Sequence, residues 1–149
     1  MQQESRNIYR NARKTAGLTQ ERWAESLGLS VEAVRQYETG KILPSDDVAL
    51  SMAEIAGQPI FCYWHLTNKS RLAAAILPDL VEKRLPEAVL DLLVQFQTFQ
   101  EDGLADLLRI AADGRVDENE QAVYARAVGQ ISNLVGAGLA LLYTKEGES

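Results

Sequence analysis

The chain has 149 residues, the size of one average domain or of two small helical ones, which excludes a large multidomain enzyme. Its 46% hydrophobic and 24% charged content is that of a globular protein, and ten Gly and four Pro exclude a collagen-like or linker-dominated chain. Fifteen Lys and Arg against 21 Asp and Glu leave a net charge of −6, which taken alone argues against a polyanionic partner.

The distribution of that charge matters more than its sum. Residues 1–67 hold seven bases and eight acids, a net −1, whereas residues 68–149 hold eight bases and 13 acids, a net −5. Residues 1–20 carry four bases and only Glu4 as an acid, so a nucleic-acid face near the N-terminus stays open. One Cys and one His build neither a disulfide framework nor a tetrahedral zinc site, and a reducing cytoplasm is expected. The opening MQQESRNIYRNARK has no apolar run for a signal peptide. Val128 to Leu142, interrupted by Gln130, Ser132 and Asn133, falls short of the roughly 20 residues of a membrane span, so no membrane is expected as a partner.

In chain order, Ser5 is the expected cap of a first helix running through Ile8, Ala12 and Ala16 to a left-handed stop at Gly17. Thr19 caps a second, with Trp23, Ala24 and Leu27 as its apolar stripe and Gly28 as its end. Ser30 caps a third, whose inner face is Val34 and Tyr37 and whose stop is Gly40. Ser45 caps a fourth, with Asp46 and Asp47 in its first turn, and Pro59 starts a fifth that ends at Leu66. The polar stretch TNKSRL, residues 67–72, is the expected domain boundary, giving domains 1–66 and 67–149. Beyond it LAAAIL, Pro86 to Gln100, Gly103 to Ala112 and Asn119 to Tyr143 show helical spacing, with breaks at Pro78, Pro86, Gly103 and Gly114. No run alternates as a strand would, so the fold class is all-α.

Residues 19–38 have the layout of two short helices joined by a Gly-containing turn, which exposes the second helix to a DNA major groove. The stretch RKTAGLTQERWAESLGLSVEAVRQYETGK resembles the Cro and lambda-repressor-like XRE family of bacterial and phage regulators nearly position by position, over roughly residues 5–66. The features shared are the Ala-Gly-Leu-Thr-Gln opening, the Ala24 to Leu27 core, the Gly28-Leu29-Ser30 turn, Val34, and Tyr37-Glu38 followed by Gly40-Lys41. Trp23 departs from the pattern, standing where the family often has Leu. The resemblance implies a five-helix lambda-repressor-like DNA-binding domain followed by a C-terminal helical domain, and repression in preference to activation.

With Val34 and Tyr37 inward at about 100° per residue, Glu32 and Gln36 point outward and Ala33, Arg35 and Thr39 flank them. Val31, Glu32, Ala33, Arg35 and Gln36 are the candidate base readers: Gln suits adenine, Glu accepts from cytosine N4, Ala or Val meets a thymine methyl, and Arg suits guanine or phosphate. The resemblance further implies phosphate contacts at the second helix's start, from Thr19 and Gln20, and at Lys41, together with a structural ion pair between Arg13 and Glu38. A net −1 motif domain neutralises few phosphates, so two copies on a palindromic operator are expected, in a nucleoid-associated cytoplasmic homodimer joined through the C-terminal helices.

The tail places Val123, Ala127, Ile131, Leu134, Leu139 and Leu142 near one stripe, with Gly129, Gly136, Ala137, Gly138 and Ala140 permitting close approach. ADGRVDENE partly mimics a calcium loop, but Arg109 and Ala111 stand where the first two oxygen ligands belong, so a turn at Gly114 and a capping box of Asp117 with Glu120 is the reading preferred. His65, Cys62 and the carboxylate pairs lack a catalytic cast, and no Gly-rich phosphate loop is present, so no enzymatic role, cofactor or metal is assigned. The rival to a regulator is a protein-interaction adaptor that keeps the helix-turn-helix shape without DNA affinity.

Overall fold

A computed structural model describes residues 7–145, and every regular element among them is helical. The chain divides into two compact units, residues 1–77 and 78–149. The first holds α1 (Ile8–Thr15), α2 (Gln20–Leu27), α3 (Val31–Glu38), α4 (Asp46–Ala56), α5 (Ile60–Lys69) and α6 (Arg71–Ile76).

Local chemistry sets most of these limits. Thr19, Ser30 and Ser45 are extended, and each side-chain oxygen accepts from the amide three residues on, at 3.3, 3.1 and 3.3 Å, which stabilises each helix by about 1 kcal/mol. Gly28 ends α2 in the left-handed region, φ 66°, and Leu29 N–H then reaches back to the Ala24 carbonyl at 2.9 Å, turning the chain sharply into α3. The cap expected at Ser5 lies outside the described residues. Asn7 caps α1 by accepting from Arg10 N–H at 3.0 Å, and its amide nitrogen donates to the Tyr37 and Glu38 carbonyls, so the start of α1 is tied to the end of α3.

The core of this unit gathers Trp23, Phe61, Met52 and Val34, all within 1% of full burial, around Ala12, Ala24, Ala49, Ala53 and Ala56. Those alanines leave the volume that an indole needs at position 23.

The unit boundary falls eleven residues later than the polar stretch suggests, because that stretch is bonded into the first unit. Thr67 Oγ1 donates to the Tyr63 carbonyl at 3.1 Å, Asn68 Nδ2 to Tyr9 Oη at 3.3 Å, and Lys69 Nζ to Asp46 at 2.6 Å. Ser70 then caps α6 by accepting from Ala73 N–H. Polarity in a sequence reads as a linker until the partners are known.

The second unit holds α7 (Leu85–Thr98), a π-helical turn at Phe99–Gly103, α8 (Leu104–Ile110) and α9 (Gln121–Leu142). The break expected at Gly103 does not occur: φ is −69°, and the residue is buried inside a continuous helical run. Close approach favours glycine there, since a Cβ would collide with Gln130 Oε1 and lie 2.8 Å from the Phe99 ring. Before α9, Asp117 Oδ1 accepts from the amides of Asn119 and Glu120 while Glu120 Oε2 accepts from Asp117 N–H, the reciprocal arrangement of a capping box.

Two expectations about α9 are corrected. The helix has 22 residues, beginning seven before Val128, and is long and apolar enough to cross a membrane by length and composition, because helix length is not limited to the apolar run within it. Nor is the expected stripe its one apolar face: Val123, Ile131, Leu134 and Leu139 of that stripe are half-buried and Ala127 is buried, while further apolar residues lie exposed beside it. Ala127, Ala137 and Ala140 are buried and α9 packs on α7, whereas Leu142 is exposed together with Tyr124, Val128 and Val135. Small side chains allow α7 close and leave the larger ones on the other side.

Candidate nucleic-acid interface

The site is built on α3. Val34 and Tyr37 face the core and fix the helix's rotation, so the opposite side carries Glu32 and Arg35 exposed and Gln36 half-buried. Val31 and Ala33 are half-buried and pack against the core cluster, leaving only part of each side chain outward. The outward polar groups bond to one another: Gln36 Nε2 donates to Glu32 Oε1 at 3.3 Å, and Arg35 stands 4.0 Å from the Glu32 carboxylate. Exposed pairs of this kind are worth a few tenths of a kcal/mol and exchange readily for a ligand's groups.

Beneath this face lies a clasp between α1 and α3. Arg13 Nε and Nη2 donate to the two oxygens of Glu38 at 2.5 and 3.1 Å, and Arg13 Nη1 donates to the Leu18 carbonyl at 2.9 Å. Both side chains are largely buried, 13% and 6% exposed. Burial works to raise the Glu38 carboxyl, but hydrogen bonds from Arg13 and Gln20 outweigh it and hold the group below the usual carboxylate range.

Gln20, at the first position of α2, is engaged at both ends. Its Nε2 donates to Glu38 Oε2 at 2.9 Å and its Oε1 accepts from Arg35 Nε at 3.5 Å, a relay from the clasp to the surface. The exposed Thr19 hydroxyl serves as the α2 cap. Lys41 is exposed just past Gly40, whose φ of 72° turns the chain away from α3, and its backbone N–H returns to the Gln36 carbonyl at 3.0 Å.

Two residues of this region went unnoticed in the sequence. Asn7 is the cap that ties α1 to α3. Arg10 shares a face of α1 with Arg13, and the signal for it was the i, i+3 spacing of the two arginines, which a count of charges does not register.

His65 is 4% exposed, with Nδ1 3.0 Å from Tyr9 Oη and Nε2 3.2 Å from Asp46 Oδ1, and it braces α1, α4 and α5 from within the core. The half-buried Cys62 packs against the same core, where burial pushes its thiol up and away from the reactive thiolate. Among the described residues no group of three or more His, Cys, Asp or Glu is placed to hold a metal ion.

Residues 10–60 match the family model described as helix-turn-helix, a span that takes in α1 from Arg10 through the start of α5. No curated protein and no solved structure matches the chain.

Proposed function

We propose that residues 10–60, which match a helix-turn-helix family model, form a DNA-binding domain of XRE type and that the protein is a sequence-specific transcription regulator of bacterial or phage kind, acting as a repressor in the cytoplasm. The observation that carries this reading is the outward row of Glu32, Arg35 and Gln36 on a helix whose rotation is set by the buried Val34 and Tyr37. Placed in a major groove, Glu32 and Gln36 meet base edges, Val31 and Ala33 supply apolar contact, and Arg35 borders bases and backbone. Thr19, Gln20 and Lys41 face phosphates at the two ends of the motif and set its register.

The second unit joins two copies into a homodimer on a palindromic operator. Tyr124, Val128, Ile131, Val135, Gly138 and Leu142 recur at alternating spacings of four and three, a 3.5-residue period that forms one seam along α9. Tyr124, Val128, Val135 and Leu142 on this seam are 41, 40, 48 and 76% exposed, and a second α9 matches it without any further element. A duplex with two half-sites demands the same pairing.

The adaptor reading draws on the same exposed surface, since an apolar face can also receive a different protein. Selection from a randomised DNA pool, repeated over a range of salt, separates the two. Enrichment of a palindrome is expected, and the absence of enrichment at low salt defeats the regulator.

A further inference from the structure

The second unit holds a cavity that the DNA reading does not use. Its volume is about 540 Å³, and it lies between the irregular segment 78–83, α7 and the C-terminal half of α9. Gly136, Ala137 and Ala140 form a floor of small groups, and the walls carry the polar side chains of Asp79, Lys83, Asp91, Gln95, Ser132 and Asn133. A floor that excludes water beneath a few convergent polar groups suits a small molecule, since the one desolvates it and the others orient it.

Those polar groups are unequally engaged. Lys83 Nζ donates to Asp91 Oδ2 and Gln95 Nε2 donates to Asp91 Oδ1 at 3.3 Å, so the Asp91 carboxylate is fixed from both sides. The hydrogen bond from Lys83 holds that carboxyl below its usual range, and it stays ionised at neutral pH. Asp79, Ser132 and Asn133 are exposed, and their side chains have no hydrogen-bond or ion-pair partner among the described residues. Two carboxylates against one ammonium leave the lining at net −1.

We propose that this cavity binds a small hydroxylated primary amine of about the size of an amino sugar, its ammonium paired with Asp79 and its hydroxyls bonded to Ser132, Asn133 and the joined side chains of Asp91 and Gln95. A ligand of charge +1 neutralises the lining, and its ammonium brings donors to a carboxylate that can only accept. Ser132 and Asn133 each offer both a donor and an acceptor, the pattern that a hydroxyl meets on either side. At about 100° per residue Asn133, Gly136 and Ala140 lie on the side of α9 away from Val128, Val135 and Leu142, so pairing of two α9 helices leaves the cavity open. The site lies wholly in the second unit and does not rest on the DNA reading.

The test titrates the full chain with three probes that share one ring and differ in charge, D-glucosamine, D-glucose and D-glucuronate, and follows backbone amide resonances. Glucosamine is expected to move the resonances of Asp79, Ser132 and Asn133, glucose to bind about tenfold more weakly, and glucuronate not to bind. Asp79→Asn is expected to lower the affinity for glucosamine to that for glucose, while Glu118→Gln, the same change of charge at an exposed turn outside the cavity, leaves it unchanged. Because the Asp79 side chain is exposed and makes no bond to the fold, that variant removes the charge without unfolding the unit. Equal affinities for glucosamine and glucose, tighter binding of glucuronate, equal losses in the two variants, or no saturable shift with any probe each overturn the proposal. All of these results leave the regulator reading intact, because operator selection tests it separately.

Discussion

The two units use the same kind of residue to opposite ends. The first buries Trp23, Phe61, Met52, Ile60 and Val34 to within 1% of completion, whereas the second buries chiefly Ala88, Ala127, Ala137 and Ala140 and leaves Leu90, Leu93, Val94 and Phe96 of α7 between 52 and 63% exposed. A helix apolar around its whole circumference is stable in water only when other elements surround it. The first unit thus has a closed core of large side chains, with Leu72 and Ile76 of α6 left outside it at 79 and 80% exposed, whereas the second buries few large side chains and leaves most of those on α7 open. The division teaches that the helix-turn-helix part is held by large side chains packed inside it, and that the remainder is held mainly by small ones.

Substitutions in both units bear on that contrast. The largest is Trp23→Ala, which empties the first unit's core and is expected to cost about 3 to 5 kcal/mol in chemical denaturation of that unit. Glu38→Gln follows at about 3 kcal/mol, because it strands the Arg13 guanidinium at a largely buried site. Since the Glu38 carboxyl is held below its unfolded value, its contribution is present above the ordinary carboxylate range and is lost as pH falls through the depressed value. A pH series of melts that leaves the parent and Glu38→Gln equally separated at acid pH contradicts this account.

Val128→Glu combined with Val135→Glu places two charges on the α9 seam and is expected to convert a dimer to a monomer in sedimentation, with the first unit's melting unchanged. The parent's second unit should melt at a temperature that rises with protein concentration, while the first unit's does not. A parent that floats with lipid vesicles and sediments as a monomer in detergent would instead make α9 a membrane element. Gly103→Ala drives a methyl into Gln130 and Phe99 and is expected to cost about 1 to 2 kcal/mol, confined to the second unit. The remaining effects are on DNA binding. Gln36→Ala should relax preference at one base position by about 1 to 3 kcal/mol, and Lys41→Ala should weaken all sequences alike, so identical profiles would undo the assignment of their roles.

Much of the candidate site was legible in the linear chain. The helix-turn-helix limits follow from Thr19, Gly28 and Ser30, whose capping and left-handed conformations depend on neighbours within three or four residues. The pairing of Arg13 with Glu38 was implied by resemblance, but their bidentate geometry, and the Gln20 relay that continues it to Arg35, are properties of three helices meeting. That Arg10 and Arg35 line one concavity was not legible at all, since nothing in a charge count says which faces of α1 and α3 adjoin.

The sequence by itself determined the all-helical class of the described residues, the caps at Thr19, Ser30 and Ser45, the stop at Gly28, and the outward side of α3, because each rests on short-range periodicity and local hydrogen bonding. Only the tertiary structure decided where the first unit ends, why glycine stands at 103, and which side of α9 remains uncovered. Those features depend on contacts between residues distant in the chain: Asn68 with Tyr9, Gln130 with Gly103, and α7 with α9. Packing chooses among faces that the linear pattern leaves equivalent.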